Sequence, residues 1–302
     1  MTRTSILSAP GGGRARRRRR AMALLLAGAM LVAGVACDGG RGRPASPTPG
    51  DGATSATAAL ATRTAAATPP APTTEPEPSA TGAPPPASPT PAPGPARLVY
   101  RGDASRRVVA LTFDAGSDAG FTAQILDTLA AQGIRASFGV TGKWGEQNPE
   151  LLLAIAAQGH EFINHSYDHA SFTGRSTGAP ALTAEERALE LSRTETTVFR
   201  ITGRTTHPLF RPPYGDIDAS VQADAGADGY PWIIMWTIDT LGWNGATADE
   251  IVARVAQLAE PGAIIVMHVG ADSQDGVALP RVIDALRAAG YGFAPVSEIL
   301  PR

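Results

Sequence analysis

Residues 108–140 read VVALTFDAGSDAGFTAQILDTLAAQGIRASFGV. VVALTF (Val108–Phe113) is a short apolar run rich in β-branched residues, which predicts a buried strand. FTAQILDTLAAQG places Ile125, Leu126 and Leu129 at helical spacing and stops at Gly133, a glycine punctuating a helix end. ASFGV (Ala136–Val140) predicts a second strand. A strand, a helix and a strand in about 33 residues form a βαβ unit, whose two strands lie parallel.

The alternation continues downstream. Pro149–Gln158 reads as a helix and EFIN (Glu161–Asn164) as a strand. Thr183 and Glu186 form a capping-box pattern opening a helix through about Val198, and Thr247 with Glu250 repeats it before IVARVAQLA. PLF (Pro208–Phe210), WIIMW (Trp232–Trp236) and AIIVMH (Ala263–His268) are further strands. LPRVIDALRAAG is the last long helix, and YGF the last strand. Repeated β-then-α units predict an α/β fold on a parallel sheet, open or closed into a barrel.

Upstream of this region the composition changes. The 302 residues carry 26 basic and 28 acidic side chains, but the seven basic residues before Cys37 are all arginines with no acid among them. Without residues 1–36 the chain holds 19 basic against 28 acidic side chains, a net charge of −9, which argues against electrostatic binding of nucleic acid. RARRRRR (14–20) followed by the apolar run Ala21–Ala36 reads as a secretory signal; sixteen residues are short for a membrane span, which needs about 20. Cys37, the single cysteine, follows directly after a small residue. That placement resembles a lipobox, with Cys37 lipidated and the chain held at the outer face of the cell membrane. One cysteine also excludes an intrachain disulfide. Residues 38–97 hold 15 of the 26 prolines, with Ala, Thr, Ser and Gly; such a segment buries too little apolar surface to fold and predicts a disordered, extended tether. The remaining residues, 98–302, suffice for one core.

The chemistry-bearing side chains cluster at strand ends. Asp114 follows VVALTF, His165 follows EFIN, Arg211 follows PLF, Asp239 and Trp243 follow WIIMW, and His268 ends AIIVMH. In parallel α/β folds the ligand site lies at the carboxyl ends of the strands, so these positions are expected to converge. His165 and His169 stand four apart in HSYDH; on a helical turn that spacing puts both imidazoles on one face, suited to one metal ion. Ser166 occupies the place of the glutamate in the HExxH protease pattern. Hydrolysis at such a site needs a base for water and an acid for the leaving group, which Asp114 and His268 supply, with Arg211 forking onto a carboxylate.

VALTFDAGSD, NHSYDH, FRPPYG, WTIDTLGW and IIVMH occur in this order across residues 105–300 and resemble the five motifs of the polysaccharide deacetylases (NodB-homology domain, carbohydrate esterase family 4). The resemblance implies a distorted (β/α) barrel and a hydrolase that uses a divalent metal ion, zinc, to remove N-acetyl groups from an acetylated cell-wall or extracellular glycan, acting as a monomer. It makes Asp114 the base, His165 and His169 metal ligands, Arg211 the brace of Asp114, the Tyr214 backbone N–H part of the oxyanion site, Trp243 a wall of the acetyl pocket and His268 the general acid.

Two positions depart from the pattern. Ala115 stands where a metal-binding aspartate is expected, and Gly242 where the fourth motif carries an aspartate that tunes the acid histidine. Asp118, in a glycine-flanked loop, is the replacement ligand the sequence offers, or else a cap of the following helix; Asp239 is the replacement partner for His268. An O-acetyl esterase on xylan-like glycans would tolerate a weaker acid, because an ester leaves more easily than an amide. A non-catalytic glycan-binding lipoprotein would account for Ala115, but not for retention of the whole acid–base set.

Overall fold

The computed structural model describes residues 94–301. The signal segment, Cys37 and nearly all of the Pro-rich stretch lie outside the described residues. The elements are β1 (Arg97–Val99), β2 (Val108–Ala115), α1 (Thr122–Ala131), β3 (Ser137–Val140), α2 (Gly142–Gln147), α3 (Pro149–Ala157), β4 (Glu161–Asn164), α4 (Ala184–Thr202), β5 (Leu209–Phe210), α5 (Ala219–Ala227), β6 (Trp232–Ile234), β7 (Ile238–Asp239), α6 (Ala248–Leu258), β8 (Ile264–His268), α7 (Asp275–Ala288), β9 (Gly292–Phe293) and α8 (Val296–Ile299).

The sheet order is β1-β6-β5-β4-β3-β2-β8-β7, with β9 pairing to the start of β2. Every strand-to-strand ladder is parallel. Among the described residues no ladder joins β7 to β1, so the curled sheet is a distorted (β/α) barrel, as the motifs predict. No described helix is long and apolar enough to cross a membrane.

Side chains alternate across each strand, and the apolar clusters record which face is which. Val109, Leu111 and Phe113 of β2 and Ile265 and Met267 of β8 join Ile125, Leu129, Val255 and Val282 of the surrounding helices in one cluster. Ala110, Ile163, Leu209, Ile234 and Ile264 face the other way and pack with Val296 and Ile299 of α8, which plugs the amino-terminal end of the interior. Trp144, Phe113 and Phe138, among the largest fully buried side chains, sit in the helix-facing layer.

Both capping boxes form: the Thr183 and Thr247 hydroxyls accept the N–H groups of Glu186 and Glu250, whose carboxylates return to the threonine N–H groups. Each cap contributes about 1 kcal/mol. α4 runs four residues past its expected end and stops where Gly203 turns left-handed at φ 68°. α7 begins at Asp275, ahead of the expected Leu279, despite Pro280. Pro280 cannot donate to Gly276 O, and that carbonyl instead accepts Gln124 Nε2 at 3.3 Å. α2, α8, β1 and the two-residue β7 carry too little periodic pattern to be read from the sequence.

Candidate active site

The alternation that sends Val109, Leu111 and Phe113 toward the helices sends Ala110, Thr112 and Asp114 inward. The same count places His165 on the face of Ile163, Arg211 on the face of Leu209, Asp239 opposite Ile238, and His268 on the face of Ile264 and Val266. Five polar side chains thereby reach the carboxyl end of one interior. β2 and β8 lie in register with Asp114 opposite His268. A cleft of about 770 Å³ opens there, lined by Asp114, His165, His169, Tyr214, Trp243 and His268 with neighbours.

Arg211 is fully buried and donates from Nη1 to Asp114 Oδ1 at 2.7 Å and from Nε to Ile234 O at 3.0 Å. Gly139 is the register partner of Asp114 on β3, and a Cβ there would collide with Asp114 Oδ1; a glycine is required for the carboxylate to lie flat against the sheet. Burial pushes the Asp114 pKa up, but the Arg211 guanidinium, with His165 and His268, outweighs it and holds the group below its ordinary value. Asp114 is thus an ionised carboxylate with one oxygen committed to Arg211. The other, Oδ2, lies 3.7 Å from His165 Nε2.

The two histidines meet, but not on a helical turn. HSYDH is a tight turn in which Ser166 and His169 both adopt φ 65°. Asn164 Oδ1 accepts the Ser166 N–H at 3.0 Å, and Ser166 Oγ accepts the His169 N–H at 3.1 Å. Glu190 of α4 accepts the Tyr167 and Asp168 N–H groups. The imidazole centres end 4.9 Å apart, edge to face. His165 Nδ1 donates to Arg211 O at 2.9 Å, which fixes its tautomer and leaves the Nε2 lone pair for the cleft. Burial lowers the pKa of both rings, that of His169 to about 4, so both are neutral.

Tyr214 sits in the turn after Arg211 with φ 60° and its ring 4.7 Å from that of His169. Among the described residues the non-glycine residues with positive φ are Ser166, His169, Tyr214 and Leu241, and all four belong to the segments that frame the cleft. Strain of this kind concentrates where geometry serves function. Trp243 stands on the rim, 56% exposed, and donates from Nε1 to both oxygens of Asp239 at 3.2 Å. Asp239 also accepts the Leu241 N–H at 2.8 Å. It therefore orients Trp243 and its turn, in place of the expected close pairing with His268. The carboxylate nearest His268 is Asp275, 3.8 Å from Nδ1. Burial lowers the His268 pKa, but Asp275, then Asp114 and Asp239, outweigh it and raise the value above the ordinary one.

Residues 101–233 match the polysaccharide deacetylase family model. A peptidoglycan-N-acetylglucosamine deacetylase of Bacillus cereus is 33% identical over 204 residues, which cover 66% of this chain and 70% of that protein. The chain belongs to the polysaccharide deacetylase family. The family's reaction class is hydrolysis of a carbon–nitrogen bond other than a peptide bond. The peptidoglycan-N-acetylmuramic acid deacetylase PdaA of Bacillus subtilis is 28% identical over 205 residues, 67% of this chain and 74% of PdaA; its structure, described as a family 4 carbohydrate esterase, superposes with a TM-score of 0.61 over 67% of this chain and 84% of that one. BA3943 of Bacillus anthracis, described as a CE4 family pseudoenzyme, superposes with a TM-score of 0.62 at 27% identity over 68% of this chain and 70% of its own. The barrel alone does not decide activity, so the side chains in the cleft must.

In this deacetylase the imidazole pair has the chemistry of a divalent cation's ligands: two neutral rings, one with its second nitrogen pinned. The third ligand expected from the loop does not join them. Among the described residues no group of three or more His, Cys, Asp or Glu side chains is arranged to hold a metal ion. Ala115 is fully buried in the helix-facing cluster. The loop passes His169 at Gly116, where a Cβ would stand 3.4 Å from the ring, and then turns away. Asp118 Oδ1 accepts the Ala271 N–H at 3.0 Å, and its carbonyl accepts Trp144 Nε1 at 2.8 Å. Phe121 N–H donates to Val269 O at 2.7 Å. These bonds tie the loop to α2 and to the segment after β8, and Asp118 lines the same cleft as the histidines without completing a three-ligand group. Nor does Asp118 cap α1, whose first turn has no side-chain cap. Sequence reasoning missed Ser273 and Trp236, which line the cleft, and Asp275, buried behind them and accepting the Ser273 hydroxyl; Asp275 sits in a helix start that Pro280 disguised.

Proposed function

We propose that this chain removes N-acetyl groups from a peptidoglycan-like cell-wall glycan, with a divalent metal ion held by His165 and His169. The observation that carries the reading is the pairing of an ionised, Arg-braced Asp114 with a histidine of raised pKa, His268, on adjacent strands across one cleft. Environments that push a base and an acid in opposite directions mark the two roles. Bound metal supplies Lewis-acid polarisation of the acetamide and a more acidic water. Asp114 Oδ2 takes the proton of the attacking water, because Oδ1 is committed to Arg211. The tetrahedral oxyanion has the Tyr214 N–H as a donor. His268 protonates the departing amine from Nε2, since its Nδ1 is buried on the Asp275 side. Trp243 and Tyr214, exposed aromatics flanking the cleft, offer faces for the sugar ring.

A purified chain is expected to release acetate from N-acetylglucosamine oligomers or peptidoglycan and to lose that activity with a strong chelator. His165→Ala and His169→Ala are expected to lose bound zinc or other divalent metal, read by elemental analysis. Full turnover in excess chelator, or unchanged metal content in both variants, overturns the metal reading. Release of acetate from acetylxylan but not from the N-acetyl substrates would assign the site to ester cleavage.

The address is part of the same proposal. Cys37 is the proposed lipid-anchor site at the outer face of the membrane, and the following segment of about 60 residues would span up to roughly 190 Å if fully extended at about 3.1 Å each. Cys37→Ser is expected to move the protein from the membrane to the soluble fraction of cells; continued co-sedimentation with membranes would remove Cys37 as the anchor.

A further inference from the structure

Gly242 occupies the place of the family's fourth-motif aspartate, and the structure shows why a side chain is missing there. The backbone at Gly242 does not have the positive φ that favours glycine; the constraint is space. A Cβ at 242 would collide with Ser273 Oγ and lie 2.6 Å from Asp275 Oδ2. The volume into which a residue at 242 would project already holds a carboxylate, delivered from the first residue of α7.

That carboxylate is completely buried. Oδ2 accepts the His268 N–H at 2.8 Å and Ser273 Oγ–H at 2.8 Å. Two further buried polar atoms have no hydrogen-bond partner: Asp275 Oδ1 and His268 Nδ1. They belong to the same two residues: His268 Nδ1 lies 3.8 Å from Asp275 Oδ2, the other oxygen of that carboxylate. Unpartnered buried groups of complementary type are costly, and closing the 3.8 Å gap gives Nδ1 a carboxylate partner. The start of a helix also favours a negative charge.

We infer that Asp275 is the positioning residue for His268: its carboxylate holds Nδ1–H so that Nε2 carries the proton to the leaving amine, the task that position 242 has given up. This rests on the deacetylase reading for its consequence, but the pairing itself does not. Asp275 touches neither substrate nor reacting atoms and acts through the imidazole alone.

The test uses Asp275→Asn, which keeps the shape and an acceptor for the His268 N–H. An amide leaving group needs the acid and 4-nitrophenolate does not. Turnover of an N-acetylglucosamine tetramer is expected to fall about 10²-fold in kcat with little change in KM, and at least tenfold further than turnover of 4-nitrophenyl acetate. The triple variant Gly242→Asp/Ser273→Ala/Asp275→Ala, which moves the carboxylate to 242 and clears its space, is expected to recover the amide activity. Independently of substrate, the His268 Nδ1–H proton of the wild-type chain is expected as a downfield NMR resonance that Asp275→Asn abolishes. Equal loss on both substrates, no loss on the amide, or absence of the resonance in the wild type overturns the assignment. A wild-type chain that shows the resonance, loses it in Asp275→Asn and yet releases no acetate from the tetramer upholds the pairing and overturns the deacetylase reading instead.

Discussion

Asp114→Asn is expected to lower acetate release by about 10³-fold while the chain stays folded and keeps its metal content. The size follows from the loss of a positioned proton acceptor, which typically contributes 10²–10⁴-fold. Asparagine is nearly isosteric, and its carbonyl oxygen can still accept Arg211 Nη1, now 2.7 Å from Oδ1. Gly139 leaves the same space for it. What disappears is the negative oxygen facing His165. The experiment is a steady-state comparison of kcat with parallel circular dichroism and metal analysis. A variant within tenfold of wild type would remove Asp114 from proton transfer and leave it a structural partner of Arg211. Stability should respond to pH in a defined sense. The native pKa of Asp114 lies below its ordinary value, so its contribution is present above about pH 4 and lost as pH falls through the native value. The asparagine variant should lack that part of the acid dependence.

How far the sequence carried this reading differs between fold and site. The βαβ unit at 108–140 and both capping boxes were legible because they rest on local chemistry: period-two and period-3.6 burial, and a threonine three residues before a glutamate. The convergence of Asp114, His165, Arg211 and His268 was legible for a topological reason, since all follow strands of one parallel sheet. Their common inward direction was not, because apolar runs buried on both faces hide the alternation; the packing of Ala110, Ile163, Leu209 and Ile264 reveals it. The turn at HSYDH was misread as helical because spacing of four fits a helix, while the actual geometry depends on Asn164 and Glu190 capturing backbone N–H groups across the chain. Asp118 and Asp239 do line the cleft, but the partners that hold them were hidden for a similar reason. A carboxylate near a site is visible in sequence, but the backbone N–H or indole that captures it first is not. Asp275 was hidden entirely, because its role depends on space above Gly242, a property of two segments about thirty residues apart.

Arg211→Met is expected to be the most damaging substitution in the barrel, costing about 3–5 kcal/mol of stability and nearly all activity. Arg211 is 0% exposed, and its guanidinium both neutralises Asp114 and donates to Ile234 O. Methionine fills much of the volume but leaves a buried carboxylate without its cation, and removing one partner of a buried pair is worth several times a surface ion pair. Burial would then prevail, and the Asp114 pKa would rise; any surviving activity should show its acid limb moved to higher pH, because the base must lose its proton to work. Lysine keeps the charge but cannot reproduce the fork that reaches both Asp114 and the β6 carbonyl, so Arg211→Lys should fall between wild type and methionine. The deciding measurement is a double-mutant cycle with Asp114→Asn, read by urea unfolding. If the cost of Arg211→Met comes from the stranded charge, the double variant should be more stable than Arg211→Met alone, with a coupling of about 1–3 kcal/mol. Strict additivity would mean that Arg211 serves as a cross-brace between β5 and β6 through its carbonyl contact, and that the ionised state of Asp114 is set by the two histidines beside it.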